Sequence, residues 1–151
     1  MTTETKKKPG TPGRLSRWMQ HRANARLIRK VRDGKGTFWG MDVLVLHTVG
    51  RRSGQQRETP LAWFDDGSGS RVVVASGGGS HHPDWHANLF ANAAEAAYEL
   101  PGEEPIAATP ERLEGEERER VWQVVAKASP QIAKYQAKSD RVYPLIRLSA
   151  R

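Results

Sequence analysis

Val43-Leu-Val-Leu-His-Thr-Val-Gly-Arg-Arg-Ser-Gly-Gln-Gln-Arg-Glu-Thr-Pro-Leu-Ala-Trp-Phe64 is the stretch from which the fold is read. Val43–Thr48 is apolar and rich in β-branched residues, which predicts a strand. Gln56–Phe64 predicts a second strand. Between them lies a turn of glycine, serine and arginine, so the two form a hairpin.

The same alternation of strand and turn continues downstream. Asp65–Ser70 is a turn rich in Asp, Gly and Ser, and Arg71–Ser76 predicts a third strand. Gly77-Gly-Gly-Ser80 predicts a flexible loop. Pro83 suits the first turn of a helix, expected over Pro83–Ala91. Two strands, Ala94–Leu100 and Pro105–Thr109, are expected around Pro101-Gly102. A helix is expected over Glu116–Ala128, with glutamates in its first turn where they suit the dipole. A shorter helix follows Pro130, over Gln131–Lys138, and Val142–Leu148 is the last strand. Six short strands joined mostly by turns predict a mainly β (α+β) fold, a six-stranded antiparallel barrel with helices packed outside it.

Upstream of the hairpin, Leu15, Trp18, Met19, Ala23, Leu27 and Val31 form one apolar stripe of a helix. Arg14, Arg17, Arg22, Arg26, Arg29 and Arg32 surround it, and Gly34 and Gly36 end it. Such a helix either covers one side of the domain or lies on an anionic membrane surface. Residues 1–13, with their Lys6–Lys8 run, are expected to be a disordered basic tail. Residues 14–151 are then a single domain, as a length of 151 residues also suggests.

Composition excludes several classes. There is no cysteine, hence no disulfide, thiolate metal site or cysteine nucleophile. No secretory signal pattern opens the chain and no apolar run is long enough to span a bilayer, so a cytoplasmic protein is expected, with peripheral attachment to the inner face of the cell membrane through the basic helix as the variant. The net charge of +7 is uneven: residues 1–35 hold 11 Lys/Arg and 2 Asp/Glu, whereas residues 36–151 hold 13 and 15. A nearly neutral body is not a nucleic-acid-binding surface.

Three segments could carry chemistry. Thr48–Pro60 places Arg51, Arg52, Ser53 and Arg57 on and beside a glycine-bounded turn. Guanidinium forks match phosphates and carboxylates, so this is either a polyanion cradle or a charged hairpin tip. It is not a P-loop, whose glycine–lysine spacing is missing. Ala75–Asn88 combines glycines at a strand end, which allow close backbone approach to a flat ligand, with Trp85 and Asn88 three apart on a helix. His82 and His86 are four apart, yet no carboxylate-rich segment or H-E-x-x-H pattern supports a metal, and none is expected. Ser129–Lys138 carries Ile132 and Tyr135 three apart, and the Tyr135 hydroxyl could donate to a substrate oxygen. No G-x-S-x-G elbow supports hydrolysis.

Together these segments resemble the deazaflavin (coenzyme F420)-dependent nitroreductase family, over about Trp18 to Leu148. The motifs are T-x-G-R-[RK]-[ST]-G-Q-x-R-x-x-P-L, here Thr48–Leu61; V-x-A-S-x-G-G, here Val73–Gly79; P-x-W-x-x-N-L, here Pro83–Leu89; and Y-Q-x-x-[ST]-D-R, here Tyr135–Arg141. The resemblance implies a split β-barrel, FMN-binding-protein-like, that binds F420. It implies that Arg51, Arg52, Ser53 and Arg57 hold the cofactor's anionic tail and that Glu58, Thr59, Pro60, Leu61 and Ala62 line the deazaflavin. Val74, Ala75, Ser76 and Gly77, with Asp84, Trp85, His86, Ala87 and Asn88, would contact the ring or its ribityl chain. Ile132 and Tyr135 would face the substrate, with Tyr135 as proton donor or substrate contact.

The implied activity is hydride transfer from F420H2 to an electron-poor small molecule: an enone, quinone or nitroarene. The alternatives are a membrane-docked quinone reductase and a non-catalytic deazaflavin carrier. This chain departs from the family in having Ser129 and Ile132 where the better-known nitroreductases carry tyrosines, and Ala62 where a larger aromatic stands.

Overall fold

Four consecutive buried residues, Val43 to Leu46, sit in a strand whose two faces must therefore both be covered. The computed structural model, which describes residues 14–38, 40–77 and 80–151, shows how. The tail expected over residues 1–13, and Gly78 and Gly79 of the expected loop, lie outside the described residues.

Seven strands form one antiparallel system: β1 (Thr37–Phe38), β2 (Met41–Val49), β3 (Gln56–Phe64), β4 (Arg71–Val74), β5 (Ala97–Glu99), β6 (Ile106–Arg112) and β7 (Leu145–Ala150). Their order is β1-β2-β3-β4-β7-β6-β5, and β5 pairs back onto β2, with Leu46 opposite Tyr98. Strands β2 to β7 thus close a six-stranded barrel, and β1 is an added short strand on β2. Closure removes the free edges that an open sheet would expose. The long hairpin β2–β3 keeps one register throughout, from Val43 opposite Ala62 to Val49 opposite Gln56.

Alternation along β2 divides its side chains between two cores. Leu44 and Leu46 enter the barrel with Val73, Ala75, Tyr98, Ala108, Ile146 and Leu148. Val43 and Val45 point outward and are covered by α1 (Arg14–Arg32) through Leu27, Ile28 and Val31. Each such valine stabilises by about 1.5 to 3 kcal/mol when fully buried. Helix α1 ends in a Schellman motif, with Gly34 at φ 83° and bonds from Gly34 N to Val31 O (3.0 Å) and Lys35 N to Lys30 O (2.8 Å). Only the C-terminal half of α1 covers the barrel. Leu15, Trp18 and Met19 stay 70%, 54% and 58% exposed, so the predicted stripe is split between core and surface.

A third apolar cluster lies on the other outer face. Val72 and Val74 of β4, Phe64 and Leu145 pack against Val121 and Val125 of α3 (Gly115–Ala128). Ile132 of α4 (Pro130–Lys138) packs on the same cluster. Ser129, buried, caps α4: its Oγ accepts from Ile132 N at 3.4 Å. The last helix, α2 (Asp84–Ala91), plugs one end of the barrel with Trp85 and Leu89.

The strands differ from the sequence expectation mainly at their ends. Residues 94–96, expected as strand, begin with a 3-10 turn (Ala93–Glu95), and β5 is only three residues long. Strand β4 stops at Val74, two residues early, because the chain turns at Ala75 to meet an arginine described below. Strand β7 starts three residues late and runs two further.

Candidate functional site

Helix α2 fixes the basic turn that joins β2 to β3. The turn is closed by bonds from Gly54 N to Gly50 O (2.9 Å) and Gly50 N to Gln55 O (2.8 Å), with Gly54 in the left-handed region at φ 68°. Asn88 of α2 then accepts two bonds on its Oδ1, from Arg51 N at 3.1 Å and from Arg51 Nη1 at 2.8 Å. Arg51 Nη2 reaches Asp84 Oδ1 at 3.3 Å. Asn92, just past α2, donates to Val49 O at 3.2 Å. The turn and the helix are therefore one rigid unit, and Arg51 is its fastener.

Between them opens a cleft of about 430 Å³ lined by Thr48, Gly50, Arg51, Arg52, Ser53, Arg57, Asp84, Trp85 and Asn88, with His21 of α1 at its edge. The guanidinium groups of Arg52 and Arg57 are exposed and have no carboxylate partner among the described residues. The N–H groups of Arg52 and Ser53 likewise have no acceptor there. The Thr48 hydroxyl is buried in the wall without a partner among the described residues. Uncommitted cations, free amides and an orphaned hydroxyl around one cleft suit a polyanionic ligand. Ser53 is partly committed, since its Oγ accepts from Gln55 N at 3.2 Å. A Cβ at position 50 would lie 2.5 Å from that oxygen, so a larger residue there would displace the Ser53 hydroxyl.

Among the other residues expected at the site, Glu58 is engaged with Arg32 at 2.8 Å. Thr59, Pro60, Leu61 and Ala62 run half-buried along β3. Val74 packs outward against the α3 cluster, whereas Ala75 points into the barrel core. Trp85 serves both core and cleft. His86 is buried beside it, and Ala87 is half-buried on the same helix; neither lines the cleft. Burial above all, then the charges of His82, Arg112 and Arg141, pushes the His86 imidazole down to about 4, so it is neutral at pH 7. Among the described residues no three His, Asp or Glu gather as metal ligands.

Tyr135 is 51% exposed on α4, and Ile132 of the same helix packs on the α3 cluster. The residue that sequence reasoning missed is Arg141, the last of the Y-Q-x-x-[ST]-D-R run. Its guanidinium donates to three successive carbonyls, Ala75 O at 2.8 Å, Ser76 O at 2.9 Å and Gly77 O at 2.6 Å. It also meets His82 Nδ1 at 3.0 Å, and since arginine can only donate, that nitrogen accepts. The signal for Arg141 was present in the motif, but its spacing of 64 residues from the glycines hides the contact.

A cationic cleft between the long hairpin of the barrel and α2 suits a ligand with an anionic group. The chain belongs to the F420H(2)-dependent quinone reductase family, whose model matches residues 18–149. An F420H(2)-dependent quinone reductase of Mycobacterium tuberculosis is 27% identical over 147 residues, covering 91% of this chain and 99% of that protein. A solved F420-H2 dependent reductase is 31% identical with a TM-score of 0.60, covering 71% of this chain and 93% of its own. A second structure, solved as a domain-swapped dimer, is 30% identical with a TM-score of 0.62 and covers 89% of this chain and 99% of its own. The protein is an F420H2-dependent oxidoreductase, and its cofactor is coenzyme F420. A haem-binding protein of Mycobacterium smegmatis, 16% identical with a TM-score of 0.55 over 80% of this chain and 51% of its own, shares the fold alone.

Proposed function

We propose that this reductase holds the anionic tail of F420 on Arg52, Arg57 and the amides of the Gly50–Gln55 turn, and passes hydride to a quinone. The observation that carries the tail assignment is the pair of uncommitted guanidinium groups, Arg52 on and Arg57 just beyond a turn pinned to α2 by Arg51 and Asn88. Arg51 contributes charge to the cleft while it fixes the turn. Trp85 lines the same cleft. Glu58 to Ala62 of β3, with the backbone of Ala75 to Gly77 past the end of β4, form the ring-side surface in this reading, while the Val74 and Ala75 side chains are buried in the two cores. The family's cofactor specificity and the motif Thr48–Leu61 support it.

When bound, reduced deazaflavin supplies a hydride from a ring carbon; the chain's residues supply position and charge. The pinned turn fixes the tail, and the glycine-rich exit allows the backbone to approach a flat ring. The acceptor oxygen gains negative charge as hydride arrives and takes a proton from Tyr135 or solvent. Tyr135, on an exposed helix face, is accessible to an acceptor entering from outside. Enones and nitroarenes, the other acceptors that the resemblance implies, are electron-poor molecules of the same kind. Spectrophotometric turnover of F420H2 with a panel of quinones, enones and nitroarenes tests the acceptor assignment. Quinones should give the highest kcat/KM, and preference for another class would contradict it.

A specific observation favours docking on an anionic membrane, where quinones dissolve. Leu15, Trp18 and Met19 are exposed on the half of α1 that does not cover the barrel, and Arg22 lies 4.9 Å over the Trp18 ring. Apolar wedge residues flanked by arginines suit an interfacial helix. Among the described residues no helix is long and apolar enough to cross a membrane. Flotation with anionic vesicles should carry the protein, and replacing Leu15, Trp18 and Met19 by serine should abolish it; flotation unchanged by the triple substitution would contradict docking.

A further inference from the structure

We propose that Arg141 is a positioning residue of the reductase, setting the Ala75–Gly77 backbone against the cofactor and holding α4 in register with it. The proposal rests on the reading that this segment faces the ring.

The geometry is unusual for a surface arginine. In an extended strand successive carbonyls point to opposite sides. Here three in a row converge on one guanidinium, at 2.8, 2.9 and 2.6 Å. The chain must therefore curl around Arg141 as soon as β4 ends. Ala75 N is used by Pro144 O at 2.9 Å, but the Ser76 and Gly77 N–H groups have no acceptor among the described residues. With the carbonyls drawn to one side, these amides remain as donors for a ligand.

Arg141 is itself held from α4. Gln136 Nε2 donates to Arg141 O at 2.9 Å, and Gln136 Oε1 accepts from Tyr143 N at 2.7 Å. The Arg141 guanidinium also lies 4.8 Å over the Tyr143 ring. Tyr135 is the neighbour of Gln136 on that helix. One residue thus links the helix that carries Tyr135 to the segment read as ring-side, and through His82 to the start of α2. A lysine cannot reproduce this, because its ammonium is a point donor rather than a planar fork.

The test uses the full chain and its Arg141→Ala and Arg141→Lys variants. Affinity for F420 is read by tryptophan quenching, turnover with F420H2 and a soluble quinone, and the environment of the ring by the absorbance of bound F420. Both variants should bind F420 within a few-fold of wild type, because the tail cradle lies elsewhere. Their kcat should fall by about a hundredfold, the scale of an ångström-level misplacement. The bound absorbance should shift, and added millimolar guanidinium, but not ammonium, should restore part of the alanine variant's kcat.

Wild-type kcat and absorbance in Arg141→Lys would overturn the proposal, even if the alanine variant does not fold. A folded alanine variant that guanidinium leaves unrescued would also overturn it. Gly77→Val separates this from the underlying reading. Among the described residues a Cβ at Gly77 meets only Pro83 Cβ at 4.0 Å, so a side chain there starts without a clash. If Gly77→Val leaves the bound absorbance and kcat unchanged, the ring does not face this segment and both readings fall. If Gly77→Val is impaired while Arg141→Lys is normal, only the role of Arg141 falls.

Discussion

Arg51 gives two hydrogen bonds to a single oxygen of Asn88, one from its backbone N–H at 3.1 Å and one from its guanidinium at 2.8 Å. The bonds span 37 residues and join the tip of the long hairpin to the helix that plugs the barrel. They turn a charged hairpin tip into a fixed wall of a cleft. A free tip would lose conformational entropy on each binding event; a fastened one has lost most of it on folding.

Asn88→Ala should therefore weaken F420 binding although the charges of the cleft are untouched. Loss of the two bonds corresponds to about 1 to 2 kcal/mol, or roughly a tenfold rise in Kd. Isothermal titration of the variant checks this. An unchanged Kd would mean that the turn holds its shape without α2.

The hairpin and its motif were legible because β2 and β3 are long, evenly paired and joined by a glycine-bounded turn. The barrel followed from strand count alone. What the sequence hid was contact between distant residues. Val43 and Val45 required an outer cover, but nothing local tells that Leu27, Ile28 and Val31 supply it while Leu15, Trp18 and Met19 do not. Arg51, expected as a tail ligand, fastens the turn to Asn88, a role hidden from the sequence because the position of Asn88 in space is set by how α2 enters the barrel. Strand β1 has two residues and gives no periodicity. Ser129, noted as a missing tyrosine, is the cap of α4.

The junction between α1 and the barrel depends on Gly36. A Cβ there would lie 1.9 Å from Pro101 Cγ, part of a ring that cannot swing aside. Gly102 N also donates to Val31 O at 3.0 Å, so the β5–β6 turn is docked on the end of α1. Gly36→Ala should destabilise the fold by about 1 to 3 kcal/mol, as overpacking does. Gly40→Ala is not an equivalent control, since Gly40 has φ 74° and its cost would be backbone strain. Urea denaturation of Gly36→Ala checks the value; unchanged stability would show that the turn separates from α1 at little cost.

The buried His86 makes stability fall on the acid side of neutrality. Its folded value of about 4 lies below the ordinary 6.5, so in that interval the unfolded chain binds more protons than the folded one. The contribution is complete above about pH 6.5 and is lost as pH falls toward 4, on the order of 2 to 3 kcal/mol. The carboxyls of Asp66 and Glu99 act lower. Burial tends to raise both, but hydrogen bonds outweigh it, from Ser68 and Arg147 to Asp66 and from Arg32 and His47 to Glu99, so both lie below their ordinary values. Their contribution is present above the ordinary carboxylate range and is lost only below it. His86→Phe should flatten the melting temperature between pH 6.5 and 4 and leave the fall below pH 4 intact. A melting temperature that still declines from pH 6.5 in the variant would assign that decline to another group.

Titration with F420 shows whether the Arg52/Arg57 cleft takes the anionic tail of the cofactor. Trp85 lines the cleft, so quenching of tryptophan fluorescence reports binding. Wild type should bind F420 more tightly than FMN. Arg52→Ala and Arg57→Ala should each weaken F420 binding by about 2 kcal/mol, roughly thirtyfold, with melting temperatures unchanged because neither side chain has a hydrogen-bond or ion-pair partner among the described residues. Tighter binding of FMN, or F420 affinity indifferent to both substitutions, would contradict the account.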